Sequence, residues 1–500
     1  VKARSETEIP VDPKQQNTPV FDAVRRYAQA GITPFHVPGH KQGKGATAAL
    51  KDYVGTRVLG LDIAEIPGVS GFYDQTGLIG EAQNLAAEAF GADATFFLVN
   101  GTSGGIQAMI MSVCGPGDKI VIPRNAHRSI VAGLIFSGAE PIYIQPGYDA
   151  QLGMAVGLRP EQIAATLSEH PDAKAVLVMS PTYYGIASDL ASIAAVVHSR
   201  DIPLLVDEAH GPHLAFHPEL PRPALAAGAD IVVQSTHKIL TSLTQSSMLH
   251  LKGNRVSRDR AAAMLRLVQT TSASYLLLAS LDLARMQMAT AGERLLERTL
   301  TLAGLARERI NRCPGLYSFG AEVIGRPGVH AIDPTKVTVK TADLGFSGRQ
   351  AEKILRSDYG IQVELSDAVN VLAFFTVGDG QPEADKFATA LEDFSRRYAE
   401  RRVREDARLS PTVPLPPIPR QAVSLREAFF CRPKAIPLAQ AAGCVSAGTV
   451  APYPPGIPLL CPGEEISRAA VEYLNTVLDL DIGVQGMQDA AKRMIRVIAD

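Results

Sequence analysis

From about residue 90 onward the chain alternates short apolar runs with amphipathic helical stretches, and this pattern constrains its fold most. The strand candidates are residues 95–99, 119–122, 141–144, 175–179, 203–206, 230–233 and 247–251. They are rich in β-branched residues and nearly continuous in hydrophobicity, as strands covered on both faces should be. Between them lie helical patterns such as residues 105–112 and 189–197. Alternating β and α predicts a parallel α/β sheet, whose ligands bind beyond the carboxyl ends of the strands. Asn100, Arg124, Ser180, Asp207 and Gln234 fall at or just past those ends, so polar residues gather where a site is expected.

A length of 500 residues with 46% hydrophobic content allows a large core and more than one domain. The expected division is an N-terminal segment (1–30), a large domain carrying the sheet (31–285), and a small α+β domain (286–405). A proline-rich linker (406–420) and a C-terminal α/β domain (421–500) follow. A helical pattern over residues 284–312, with Leu295, Leu296, Leu300, Leu302 and Leu305, suits the connection into the small domain. Strands are expected there at 337–340 and 371–375. The net charge of −2 offers no basic field for nucleic acid or an anionic membrane. Apolar runs fall well short of the ~20 residues of a membrane span. The N-terminus is polar and lacks a signal-peptide core. Five scattered cysteines, none in a C-x-x-C pair, argue for a reducing, cytoplasmic setting and against a disulfide framework or zinc.

The chemistry concentrates at two strand ends. One run finishes in Asp207-Glu208-Ala209-His210-Gly211, and a later one finishes in Ser235-Thr236-His237-Lys238. An acid at one end and a lysine at the other is what a pyridoxal phosphate (PLP) enzyme needs: the lysine carries the cofactor and the acid keeps its ring nitrogen protonated. Asn100-Gly-Thr-Ser-Gly-Gly105 reads as strand end, glycine-rich turn and helix start, where amides and the hydroxyls of Thr102 and Ser103 would bind a phosphate. An ordinary N-capped turn is the alternative. His127, just past another strand, either lies flat against a ring or is a satisfied loop residue. Asp207 could equally cap a helix, and Lys238 could be a surface lysine. Jointly these residues supply a phosphate cradle, a stacking ring, an acid and an amine in sheet order.

Two look-alikes carry no such weight. Pro38 and Gly45 occupy the positions where a P-loop requires Gly and Ser/Thr. His36 and His40 have zinc-helix spacing, but Pro38 and Gly39 break any helix between them. No metal site is expected.

Several segments resemble the bacterial ornithine/lysine/arginine decarboxylases. They include Thr33-Pro-Phe-His-Val-Pro-Gly-His-Lys41, Glu81-Ala-Gln-Asn-Leu-Ala-Ala-Glu-Ala-Phe-Gly91, and the strand ends bearing His127, Asp207 and Lys238. Thr271-Ser-Ala-Ser-Tyr275, Tyr453-Pro-Pro-Gly-Ile-Pro458 and Pro462-Gly-Glu464 extend the likeness towards the C-terminus. It resembles the short biosynthetic-type branch, since no receiver-like wing precedes Thr33. The resemblance implies a fold type I, PLP-dependent transferase-like large domain with a mostly parallel sheet, and a homodimer with sites at the subunit interface. It implies Lys238 as the cofactor-bearing lysine, with Ser235 and His237 beside the phosphate. Thr102 and Ser103 would form the phosphate loop, His127 would stack on the ring, Asp207 would pair with its nitrogen, and His210 would lie near it. Thr271 and Ser272 would reach the neighbouring subunit's site. Glu364 aligns with a position at the active-site mouth, where it would meet the substrate's distal cation; a solvated glutamate is the alternative, and Asp62, Glu65 and Asp74 are rivals. Ala126 departs from relatives that often have Cys there. The implied activity is decarboxylation of a basic L-amino acid for polyamine biosynthesis. Arginine to agmatine comes first, then lysine to cadaverine or ornithine to putrescine. Another fold type I activity (aminotransferase or aldolase) and a catalytically silent binding paralogue are the alternatives.

Overall fold

Each of the seven predicted apolar runs forms a strand of one sheet: β1 (Ala94–Leu98), β2 (Lys119–Pro123), β3 (Glu140–Ile144), β4 (Ala173–Met179), β5 (Leu204–Asp207), β6 (Ile231–Gln234) and β7 (Ser247–Leu251). The computed structural model describes residues 12–69, 71–399, 416–453, 456–479 and 483–499. The polar start, most of the proline-rich linker, and Pro454 and Pro455 of the Tyr453 motif lie outside the described residues.

The sheet order is β1-β7-β6-β5-β4-β2-β3. Central strands face a core on both sides: in β4, Ala175 and Leu177 enter one cluster while Val176 and Val178 enter the other. That double burial accounts for their continuous hydrophobicity. One strand departs from the parallel expectation. β7 runs antiparallel to both β1 and β6, because only the single turn Thr236–Ile239 and a short loop separate it from β6. A parallel return usually carries the chain back along the sheet on a helix, and residues 235–246 hold no helix longer than one turn, so here the chain doubles back.

The helix after β1, α1 (Gly101–Val113), packs tightly on the sheet. A Cβ on Gly105 would lie 2.6 Å from Leu98 and 2.7 Å from Val233, so only glycine lets the start of α1 sit this close. The long helix α2 spans Tyr275–Asn311 and begins earlier than the predicted pattern. Tyr275, Leu278, Leu281 and Met288 already recur at helical spacing into the core beside β1, whereas Leu302, Ala306 and Ile310 enter a second core. That second core lies behind an antiparallel sheet of β8 (Lys336–Lys340), β9 (Leu365–Ser366) and β10 (Asn370–Phe374), ordered β8-β10-β9. A two-residue pairing of Ala331–Ile332 with Ile186–Ala187 joins the two sheet systems.

Towards the C-terminus, Pro433–Pro437 pairs with Met494–Ile498, and helix Arg468–Asp479 covers them with Leu438, Leu460, Ile466 and Leu474. Leu425 and Cys461 join the core of the large sheet. No helix among the described residues is long and apolar enough to cross a membrane.

Candidate active site

A cavity of about 520 Å³ opens beyond the carboxyl ends of β1, β2, β5 and β6. Thr102, Ser103, His127, Asp207, His210, Ser235, His237 and Lys238 all line it, as do Asn100 and Arg124. The sheet brings them together because each directly follows a strand, or the first turn after one, on the same edge.

At one end three hydroxyls converge. Thr102 Oγ1 lies 2.5 Å from Ser235 Oγ and 3.0 Å from Ser247 Oγ, with all three residues buried. The first-turn amides of α1 have no carbonyl partner within the helix and carry its positive dipole end. His237 binds the Ser246 carbonyl through Nδ1 at 2.7 Å, leaving Nε2 for a ligand. Ser103 stands exposed beside this cluster.

The middle of the cavity holds the titratable groups. Lys238 Nζ lies 3.0 Å from His210 Nε2 and 5.3 Å from the centre of the Tyr183 ring. Burial lowers the pKa of Lys238, against the opposing pull of Asp207 and Glu364. Burial, then Lys238, holds His210 well below the ordinary histidine range. His127 caps the helix Arg128–Ser137, accepting from the Ser129 amide at Nδ1, and is pulled down to about 4 by burial and Lys238. Asp207 accepts the Ala209 amide at 3.1 Å; burial raises its pKa, and Lys238 opposes the rise. The adjacent acid takes a different path. Glu208 turns into the sheet layer, where Gln234 Nε2 and the Ala224 amide each donate at 2.8 Å, and burial pushes it up to about 8.

Several sequence-selected residues lie elsewhere. Gln234 points into the sheet, to Glu208 and His250, and Ser180 accepts the Ser188 amide; neither lines the cavity. Glu364 is exposed and outside the cavity lining, but it accepts a hydrogen bond from Tyr183 Oη at 3.1 Å. Thr271 and Ser272 are exposed and away from this chain's cavity. Asp62 binds His40, while Glu65 and Asp74 line a separate shallow pocket. His36 meets Tyr27.

Sequence reasoning missed Ser247, Tyr183 and the wall supplied by residues 456–459. Tyr183 stacks obliquely over His210, with ring centres 4.2 Å apart. The 456–459 wall is held by Arg124, which forks onto both oxygens of Glu464 at 2.5 and 2.7 Å and donates to the carbonyls of Pro458 and Leu459. An arginine at a strand end and a distant Pro-Gly-Glu motif were visible signals, but nothing local paired them. This donor set fits a ligand with a phosphate at one end, a basic ring nitrogen near an acid, and a carbonyl within reach of Lys238.

The architecture is that of fold type I. The crystal structure of the lysine decarboxylase of Francisella novicida superposes with a TM-score of 0.83, covering 97% of this chain and 82% of that one; at 22% identity this likeness concerns the fold. Residues 18–383 match the family described as Orn/Lys/Arg decarboxylase, major domain, and residues 419–490 match its C-terminal domain. The chain is 46% identical to the arginine decarboxylase of Bacillus subtilis, over 97% of this chain and 99% of that protein. Against the arginine decarboxylase of Bacillus anthracis it is 44% identical, over 97% and 98%. The protein belongs to the Orn/Lys/Arg decarboxylase family.

Proposed function

We propose that this protein is a PLP-dependent decarboxylase that converts L-arginine to agmatine and CO₂. The observation that carries the reading is Lys238, its amine against His210, sharing one cavity with Asp207 and with the hydroxyl cluster at the start of α1. The two relatives named above are arginine decarboxylases, which favours arginine over lysine or ornithine. The match also runs through the C-terminal domain, which an aminotransferase or aldolase reading leaves unexplained.

In this reading Thr102, Ser103, Ser235 and His237 hold the cofactor phosphate, His127 covers the ring, and Asp207 faces the ring nitrogen. Bound there, PLP would supply an electron sink for the pair left behind as CO₂ departs. Replacing a carboxylate by hydrogen consumes one proton, so the site needs a donor near Cα. Lys238 Nζ and His210 Nε2, in hydrogen-bond contact, form a pair able to hold and pass that proton. In this reading the Glu364 carboxylate, bonded to Tyr183 of the cavity lining, meets the distal guanidinium.

The same reading takes the protein as a homodimer whose partner subunit completes the site with Thr271 and Ser272. The almost fully exposed Phe35 and Tyr53 support such an interface. It also keeps the division near residues 31, 286, 406 and 421, and a cytoplasmic setting suited to five free cysteines. The test is CO₂ release from arginine, lysine and ornithine in parallel. Arginine should give the highest kcat/KM; a higher value for another amino acid would reassign the substrate, and release from none would overturn the reading.

A further inference from the structure

A second lysine lies buried behind the first. Lys336 opens β8 in register with Phe374 of β10, and its side chain is fully enclosed. Its stem runs past Gly185, whose positive φ of 84° and lack of Cβ leave the room; a Cβ there would lie 2.8 Å from Lys336 Cγ. Lys336 Nζ has no hydrogen-bond partner among the described residues. It sits 3.6 Å from the centre of the Phe374 ring and 4.0 Å from Asp333 Oδ2. Asp333 is itself tied to His213 Nε2 at 3.0 Å and accepts from the Thr335 amide and hydroxyl.

The opposite side of this group is the active-site pair. Phe374 meets the His210 ring edge-on, with centres 5.9 Å apart, and His210 Nε2 contacts Lys238 Nζ. His210 Nδ1 is buried and lacks a partner, so nothing on its far side fixes its charge by hydrogen bonding. The order is therefore cation, aromatic ring, imidazole, amine. Lys336 thus has a carboxylate at ion-pair distance but no hydrogen bond, and a buried ammonium held so loosely is costly.

We propose that Lys336 is a positioning residue for the Lys238–His210 pair: a fixed cation behind Phe374 that keeps His210 neutral and so able to take a proton from Lys238 and return it. The proposal rests on the functional reading above. A like charge in a low-dielectric interior disfavours the imidazolium. The groups facing this assembly are Lys238, His127, Asp207 and Glu364 from the cavity and its rim, with His213 and Asp333 behind. Burial, then Lys238, Lys336 and the two other histidines, lowers His210. Lys336 is pushed down to about 8 by burial, with Asp333 opposing, so it is charged below that pH and loses its influence above it.

The sign follows. Replacing Lys336 by a neutral side chain raises the pKa of His210, so the imidazole is protonated over more of the acidic range and activity is lost there first. In Lys336→Met, His210 should titrate about one pH unit higher, so the acidic limb of the kcat/KM profile should move up by about one unit and activity on that limb should fall about tenfold, with the plateau unchanged. At about pH 9 the variant should approach the parent, because Lys336 is then mostly uncharged in the parent and absent from the variant. Lys336→Arg, which keeps the charge, should keep the parent profile. Histidine C2 hydrogen–deuterium exchange at His210, read by mass spectrometry on the apoprotein, measures the same shift without cofactor or turnover. Should the Met variant fail to fold, Lys336→Gln, which is also neutral but can hydrogen-bond Asp333, should move His210 in the same direction. An unmoved His210 titration in a folded variant, or Arg and Met variants with the same profile, would overturn the proposal. Failure of the parent enzyme to release CO₂ would instead count against the functional reading, because the exchange measurement does not depend on it.

Discussion

The wall formed by Thr102, Asp207, Ser235 and Lys238 and the wall formed by Tyr183, residues 367–369 and residues 456–459 differ in how they reach the cavity. In the first, every residue ends a strand of one sheet or lies in the first turn after it, so backbone register places it. In the second, the contributors come from a loop of the large sheet, an antiparallel sheet and a C-terminal loop, and only packing brings them together. The lesson is that the first wall is robust to changes elsewhere, whereas the second depends on contacts such as Arg124–Glu464 and Tyr183–Glu364. Variants can separate the two.

The largest effect should come from the register-fixed wall. Lys238→Ala should lower kcat by about 10⁴-fold or more while circular dichroism stays that of the parent; steady-state CO₂ release near the parent rate would remove Lys238 from the chemistry. Next is the contact that holds the assembled wall. Glu464→Gln leaves Arg124 charged, buried and without its carboxylate, and should cost about 3–5 kcal/mol in a denaturant titration. An unchanged midpoint would mean that the C-terminal loop is held by something else. Glu364→Gln should raise KM for arginine about tenfold with a smaller change in kcat, the loss of one charge-assisted contact at the cavity rim; an unchanged KM would remove Glu364 from substrate binding. The smallest effect belongs to Tyr183→Phe, which deletes one hydroxyl and should change KM about two- to fivefold.

The same contrast sets what could be read from the amino-acid sequence. The strands of the large sheet announced themselves by nearly continuous hydrophobicity, most clearly where both faces are covered, as in β4, and least in the partly exposed edge strand β3. The polar residues just past them then had only one place to go. Reading failed where a single residue's direction mattered. Gln234 ends its strand like Asp207, yet its amide turns inward to neutralise the buried demands of Glu208 and His250. The reversal of β7 lies in the absence of a crossover helix before it, not in the hydrophobic pattern of the strand. Helix α2 starts at Tyr275 instead of near 284, since Tyr275, Leu278 and Leu281 already carry the helical spacing that buries one face. Lys336 sits in an alternating strand pattern whose other lysine, Lys340, is only partly buried; nothing local distinguishes the enclosed one.

The most direct test of the account is to reconstitute the protein with PLP, reduce it with borohydride and map the labelled peptide. The account predicts a single pyridoxyl label on Lys238, with Lys336 unmodified in the same digest. A label on Lys336 or on another lysine, or none at all in a folded, reconstituted protein, would contradict it.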